Sequence, residues 1–276
     1  MNGITGEDRR TDLGKLPAVR RSRFGSRSRR RVRALAGAEF ALFGRNRSAV
    51  ATALLMPLAL PFSVRPAIAG ADLKGVHLGT LMLTAAVGYS FLFAVYTSLV
   101  SAYVARREEL VLKRLRTGEL EDMEILGGTA LPAVLLGLAQ ALVLAVGCAV
   151  LLDAGPPRAP WLTVLGLLTG LLLSAALAAL TSAFTPTTES AQVTALPLVF
   201  VSIVGSGIAL PTDLLPHRAA AVCAFLPLSP AVRLVRAGWT GELTAYEALG
   251  TVLTALAWSV VAVFAVRRWF RWEPRR

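Results

Sequence analysis

The stretch Ala105 to Leu126, "ARREELVLKRLRTGELEDMEIL", carries eleven charged side chains in a chain of 276 residues that is 55% hydrophobic. Its residue types limit its chemistry. General acid–base catalysis needs carboxylates or a histidine converging on a cleft, and a metal needs His, Cys or carboxylates at ligand spacing. The acidic group here (Glu119, Glu121, Asp122 and Glu124) instead stands at the head of an apolar run, where a helix N-terminus favours negative charge. His77 and His217 stand alone, and Cys148 and Cys223 imply no disulfide framework. No G-x-x-x-x-G-K-[ST] loop occurs to cradle a nucleotide phosphate. What the segment can do is pair charges and dock.

On a helical wheel Val111, Leu112 and Leu115 fill an arc of about 100°, with Arg107, Glu109, Lys113, Arg114 and Arg116 around the rest and Glu108 within the arc. The pattern predicts a short amphipathic helix, with Glu109 and Lys113 in the favourable i,i+4 order and Gly118 as its stop. A compact element results, basic first and acidic second, continuous with apolar runs on both sides.

Those runs define the architecture. Mean hydropathy is +0.60 and only 17% of residues are charged, too few to cover a soluble domain of this size. Uncharged runs at 48–64, 78–105, 125–152, 161–184, 191–211 and 248–266 predict six membrane spans in an all-α polytopic fold. Within these bounds there is no Asp, Glu, His, Lys or Arg, the groups on which ion-coupled carriers and intramembrane hydrolases depend. Gln140, Gln192 and the span hydroxyls are read as helix-to-helix or backbone partners. Trp161, Trp269 and Trp272 stand at span edges as interfacial belt residues.

Of the Lys and Arg residues, 23 fall before the first span, between the second and third, and after the sixth, against 6 in the other connections. The positive-inside rule therefore predicts that both termini are cytoplasmic. Residues 1–31 read as a disordered arginine-rich tail that fixes orientation and meets anionic lipid, not nucleic acid. No signal peptide is read. Residues 32–47, with Val32, Leu35, Ala36, Phe40, Leu42 and Phe43 on one side, read as an interfacial helix, and 267–276 as a basic cytoplasmic tail. Between spans five and six, apolar clusters at Ala219 to Leu226 and at Ala231, Val232, Leu234 and Val235, separated by Pro227 and Pro230, predict two short re-entrant helices on the outer side.

The segment "RREELVLKRLRTGELEDMEILGGTALPAVLLGLAQALVLAVG", Arg106 to Gly147, resembles the signature region of ABC-2 type exporter permeases, in which an Arg/Glu cluster leads into a "LKRL" core, a turn and the third helix. The resemblance extends to the six-span layout, the interfacial helix and the re-entrant helices. Leu110-Val111 stands where many members have Gly-Thr, and Thr117-Gly118 where they have Thr-Pro; the latter form is similar to the high-G+C Gram-positive (actinobacterial) branch.

The resemblance implies a multi-pass protein of a bacterial plasma membrane, the permease subunit of an exporter of drug-like, antibiotic or lipid substrates, with antibiotic resistance as one outcome. Its implied partners are a cytoplasmic ABC ATPase subunit, a second permease copy (a homodimer or a heterodimer) and membrane lipids. This chain would bind no cofactor; ATP and Mg would sit on the partner ATPase. Arg107, Glu108, Glu109, Val111, Leu112, Lys113, Arg114, Leu115, Arg116 and Gly118 are the implied ATPase-coupling residues. The alternatives are a membrane anchor or immunity protein without transport, and a membrane transferase, which would need converging carboxylates or histidines at the membrane surface.

Overall fold

The computed structural model describes residues 59, 78–116, 121–151, 155–209, 216–270 and 272. The tail 1–31, the interfacial helix 32–47, nearly all of the first span 48–64, Gly118 and the last four residues lie outside this set. The elements are α1 (Leu78–Glu108), α2 (Val111–Arg116), α3 (Asp122–Leu151), α4 (Pro160–Phe184), α5 (Ala191–Gly205), α6 (His217–Ala224), α7 (Ser229–Thr240) and α8 (Ala245–Trp269). Among the described residues there is no strand.

Four helices, α1, α3, α4 and α8, are long and apolar enough to cross a membrane. Even α4, with 25 residues, rises about 37 Å at about 1.5 Å per residue, against about 30 Å of hydrocarbon. The fifth predicted span is shorter than 191–211: α5 has 15 residues and stops at Gly205. Gly207 then takes a left-handed φ of 72°, which a residue without Cβ adopts freely, and Ala209 N–H closes the turn on the Ile203 carbonyl at 3.2 Å. The last helix is longer than 248–266. It starts at Ala245 because Thr244 and Glu247 form a reciprocal capping box, the T-x-x-E signature of a helix start.

Contacts assign the helix ends to two faces of the bundle. At one face Tyr103 OH donates to the Leu126 carbonyl at 3.0 Å, and the Tyr103 ring meets Phe270 edge-on, gathering the end of α1, the start of α3 and the end of α8. At the opposite face Trp239 Nε1 donates to the Gly155 carbonyl and Arg158 to the Thr240 carbonyl, gathering the start of α4 and the end of α7. The predicted pair of short helices is present there as α6 and α7, bent by 100° at the break.

α1 is the core of the bundle, with Leu83, Leu92, Val95 and Tyr96 fully buried and α3, α4, α5 and α7 packed around it. Residues Ser90–Thr97 within it are π-helical, a wider turn that displaces carbonyls from the regular ladder. The Phe93 carbonyl accepts from Thr97 and Ser98 hydroxyls at 3.0 and 2.9 Å. Tyr96 OH is paired with Thr181 Oγ1 of α4 at 3.0 Å, so the polar atoms in this segment are satisfied inside the protein.

α4 and α7 cross with their backbones nearly touching. A Cβ on Gly166 would lie 2.8 Å from both the Ala231 carbonyl and the Val235 nitrogen, and one on Gly238 would lie 2.7 Å from the Thr163 nitrogen. Small residues at such crossings give membrane helices the close packing that hydrophobicity cannot supply in lipid.

Candidate functional site

The charged segment is not one continuous amphipathic helix. α1 runs on to Glu108, the chain turns through Glu109 and Leu110, and α2 starts at Val111. Leu110 sits at φ 59°, a conformation that costs a residue with Cβ about 1–2 kcal/mol. The Glu109 carboxylate meets Arg106 at 3.2 Å; the expected Glu109–Lys113 pairing involves a Lys113 side chain outside the described residues.

Arg107 is the residue whose place the sequence disguised. Its side chain is 1% exposed and points away from solvent into the end of α4. There Nη1 donates to the Ser182 carbonyl at 2.7 Å, and Nη2 donates to the Thr185 carbonyl and, at 3.5 Å, to that of Pro186. The last carbonyls of a helix lack intrahelical donors and carry the negative end of its dipole. A guanidinium, planar and weakly hydrated, is suited to that place.

The neighbouring Glu108 holds the next residues of the same connection. Its carboxylate accepts from Thr188 N–H at 3.2 Å and from the Thr188 hydroxyl at 2.8 Å. Residues 187–190 are themselves knitted by Thr187 and Ser190, each of whose backbone N–H donates to the other's hydroxyl, at 3.2 and 3.3 Å. Arg107 and Glu108 thus fasten the end of α1 to 182–188 and, through that turn, to the start of α5.

α2 packs on the start of α3 and the end of α1. The predicted apolar arc is split: Leu112 is fully buried, whereas Val111 and Leu115 are half-buried. The open surface carries Leu110 and Met123, each 40% exposed, beside exposed Glu109, Arg114, Glu121 and Asp122. Leu110 and Met123 were not among the expected coupling residues. Their signal was available, since both are large apolar residues flanked by charge. Lys113 and Arg116 fall within α2, with side chains outside the described set. Glu121, Asp122 and Glu124 stand at the start of α3, where Glu124 accepts from Glu121 N–H at 3.1 Å. Among the described residues no group of three or more His, Cys, Asp or Glu could hold a metal.

An all-helical bundle with several membrane-crossing helices, and at one face a structured charged element fastened to two of its helices, defines a multi-pass membrane protein. The family model of the ABC-2 type transporter matches residues 30–239, a stretch that takes in α1 to α7. The chain belongs to that family: it is the membrane-embedded permease subunit of an ABC transporter, a transport subunit and not itself a catalytic one, and membership implies an ABC ATPase as partner. No curated protein matches it.

Proposed function

We propose that this permease is the translocating half of an ATP-driven exporter and that the element from Arg107 to Asp122 receives the stroke of its ATPase. The carrying observation is the clamp. An external partner seated on Leu110, Arg114, Met123 and the half-buried Val111 and Leu115 moves an element whose root is bonded to the end of α4 and the start of α5. Arg107 and Glu108 are then transmitting residues within this chain, and the outward side chains of α2 and the α3 start are the docking surface.

The full reading has six spans, with the first at about 48–64, both termini in the cytoplasm, and α6–α7 as a re-entrant pair facing outside. The 100° bend between α6 and α7 and the place of both beside the first turns of α8 support this, as does the concentration of Lys and Arg before the first predicted span, between the second and third, and after the sixth. Two copies pair around the path, two ATPase copies carry ATP and Mg, and the cargo is a drug-like, antibiotic or lipid molecule. The membrane is that of a bacterial cell.

Expression with the ATPase of the same operon tests the reading. The complex should move cargo only with ATP, and the isolated chain should turn over none. Leu115→Asp should weaken copurification about tenfold, because losing about 1–2 kcal/mol of half-buried apolar contact approaches the 1.4 kcal/mol that a decade requires. Normal copurification and transport by that variant would reduce the segment to a spacer.

A further inference from the structure

The last helix has two unlike sides. α8 packs on α4 and α7, and the side it buries is made of small residues, among them Ala248, Thr251, Ala255, Ser259 and Ala262, the kind that let membrane helices approach closely. Its other side is large and apolar. Leu249, Leu253, Leu256, Val260 and Phe264 are each more than half exposed and fall within about 80° of one another at about 3.6 residues per turn. Tyr246, 86% exposed, stands at one end of this stripe, and Arg267 at the other, exposed, with exposed Arg268 beside it.

From Tyr246 to Arg267 the helix rises roughly 32 Å, close to the roughly 30 Å of a hydrocarbon core, and aromatic and arginine side chains are those that sit at headgroup level. A second copy fits this stripe poorly. Two copies related by an axis along the membrane normal run α8 in the same direction, so pairing through the stripe would set Arg267 against Arg267. Neither Arg267 nor Arg268 has a hydrogen bond or ion pair among the described residues. From 267 onward the sequence holds Arg267, Arg268, Arg271, Arg275 and Arg276 against Glu273 alone. We infer that the outer stripe of α8 faces lipid and that Arg267 and Arg268 at its end select an anionic phospholipid, in the leaflet on the side of the charged element. This contact needs neither the ATPase nor transport, so a chain that shows it without exporting would sink the proposed function and leave this surface standing.

The test uses the full chain in vesicles of equal phosphatidylglycerol and phosphatidylcholine, with Phe264→p-benzoylphenylalanine as a photocrosslinker. Phe264 is 66% exposed, so the replacement leaves the packed side of α8 alone. It lies about 4.5 Å along the axis from Arg267, where it meets the chains of a lipid whose head is at the arginine. Mass spectrometry of the adducts should show phosphatidylglycerol over phosphatidylcholine by at least about fivefold, the weight of one arginine at an anionic surface.

Arg267→Gln with Arg268→Gln should bring that ratio close to one while the total lipid adduct persists. Removing the same charge elsewhere, by Arg20→Gln with Arg21→Gln, should leave the ratio as it is, which separates selection at the end of α8 from the attraction of a basic chain as a whole. Adducts mainly between two copies of the chain would assign the stripe to a subunit interface and overturn the inference. Equal amounts of the two lipids on the unaltered stripe, an unchanged ratio in the Arg267 and Arg268 variant, or an equal loss in the Arg20 and Arg21 variant would overturn it as well.

Discussion

Replacing Arg107 by Met keeps the apolar stem and removes every donor. Two firm hydrogen bonds, to the Ser182 and Thr185 carbonyls, are lost at about 1.5–3 kcal/mol each for a charged partner, or about 3–6 kcal/mol together. The guanidinium no longer has to be kept from water, which returns part of that sum and leaves a net destabilisation of about 2–4 kcal/mol. The Ser182 carbonyl keeps Thr185 N–H as a donor at 3.3 Å, whereas among the described residues the Thr185 carbonyl has no backbone donor to replace the lost one. At about 2–4 °C per kcal/mol for a large domain, the melting temperature should fall by roughly 5–15 °C. Intrinsic fluorescence during a thermal ramp of the detergent-purified protein measures it. Arg114→Met, at an exposed position of the neighbouring helix, is the control and should stay within about 0.5 kcal/mol of wild type. If the two variants melt together, Arg107 is not holding the end of α4 and the clamp is wrong.

Leu110→Gly should raise stability by up to about 1 kcal/mol, because relief of the left-handed φ outweighs the added freedom of the unfolded chain and the lost apolar surface is largely exposed; the same thermal ramp reads it, and a drop would place the side chain in a contact that matters. Topology has its own check in a Cys-free background: a cysteine at Asp153 should react with an impermeant maleimide from outside intact cells, and one at Thr187 only after permeabilisation. External labelling at Thr187 would invert the bundle.

Apolar run length marked every membrane-crossing helix that is described, because backbone groups in hydrocarbon leave no alternative to helix. The bent pair was equally legible, since Pro227 and Pro230 divide two runs too short to span. The break at Glu109–Leu110 was not: neither residue is Gly or Pro, and local propensity carries a helix straight through. Arg107 was hidden for another reason. Its partners are 75 and more residues away along the chain, and they are carbonyls, which every residue has, so no side-chain pattern announces them. The early start of the fifth connection, after Gly205 instead of 211, turns on Gly207 adopting a positive φ, one glycine among 23 in the chain.

The backbone crossing at Gly166 and Gly238 bears on how the two faces of the molecule can move. With main chains in direct contact there is no layer of side chains to shear, so α4 and α7 are welded near the face of the bent pair, while Arg107 pins the far end of α4. A rod about 37 Å long is therefore gripped at both ends. Any displacement of the charged element must tilt that rod as a unit or break one of its two grips. Tilting carries α7, and with it one wall of the cavity of about 610 Å³ that α7 lines together with α6 and the first turns of α8, so the size of that distant cavity becomes a readout of what happens to α2.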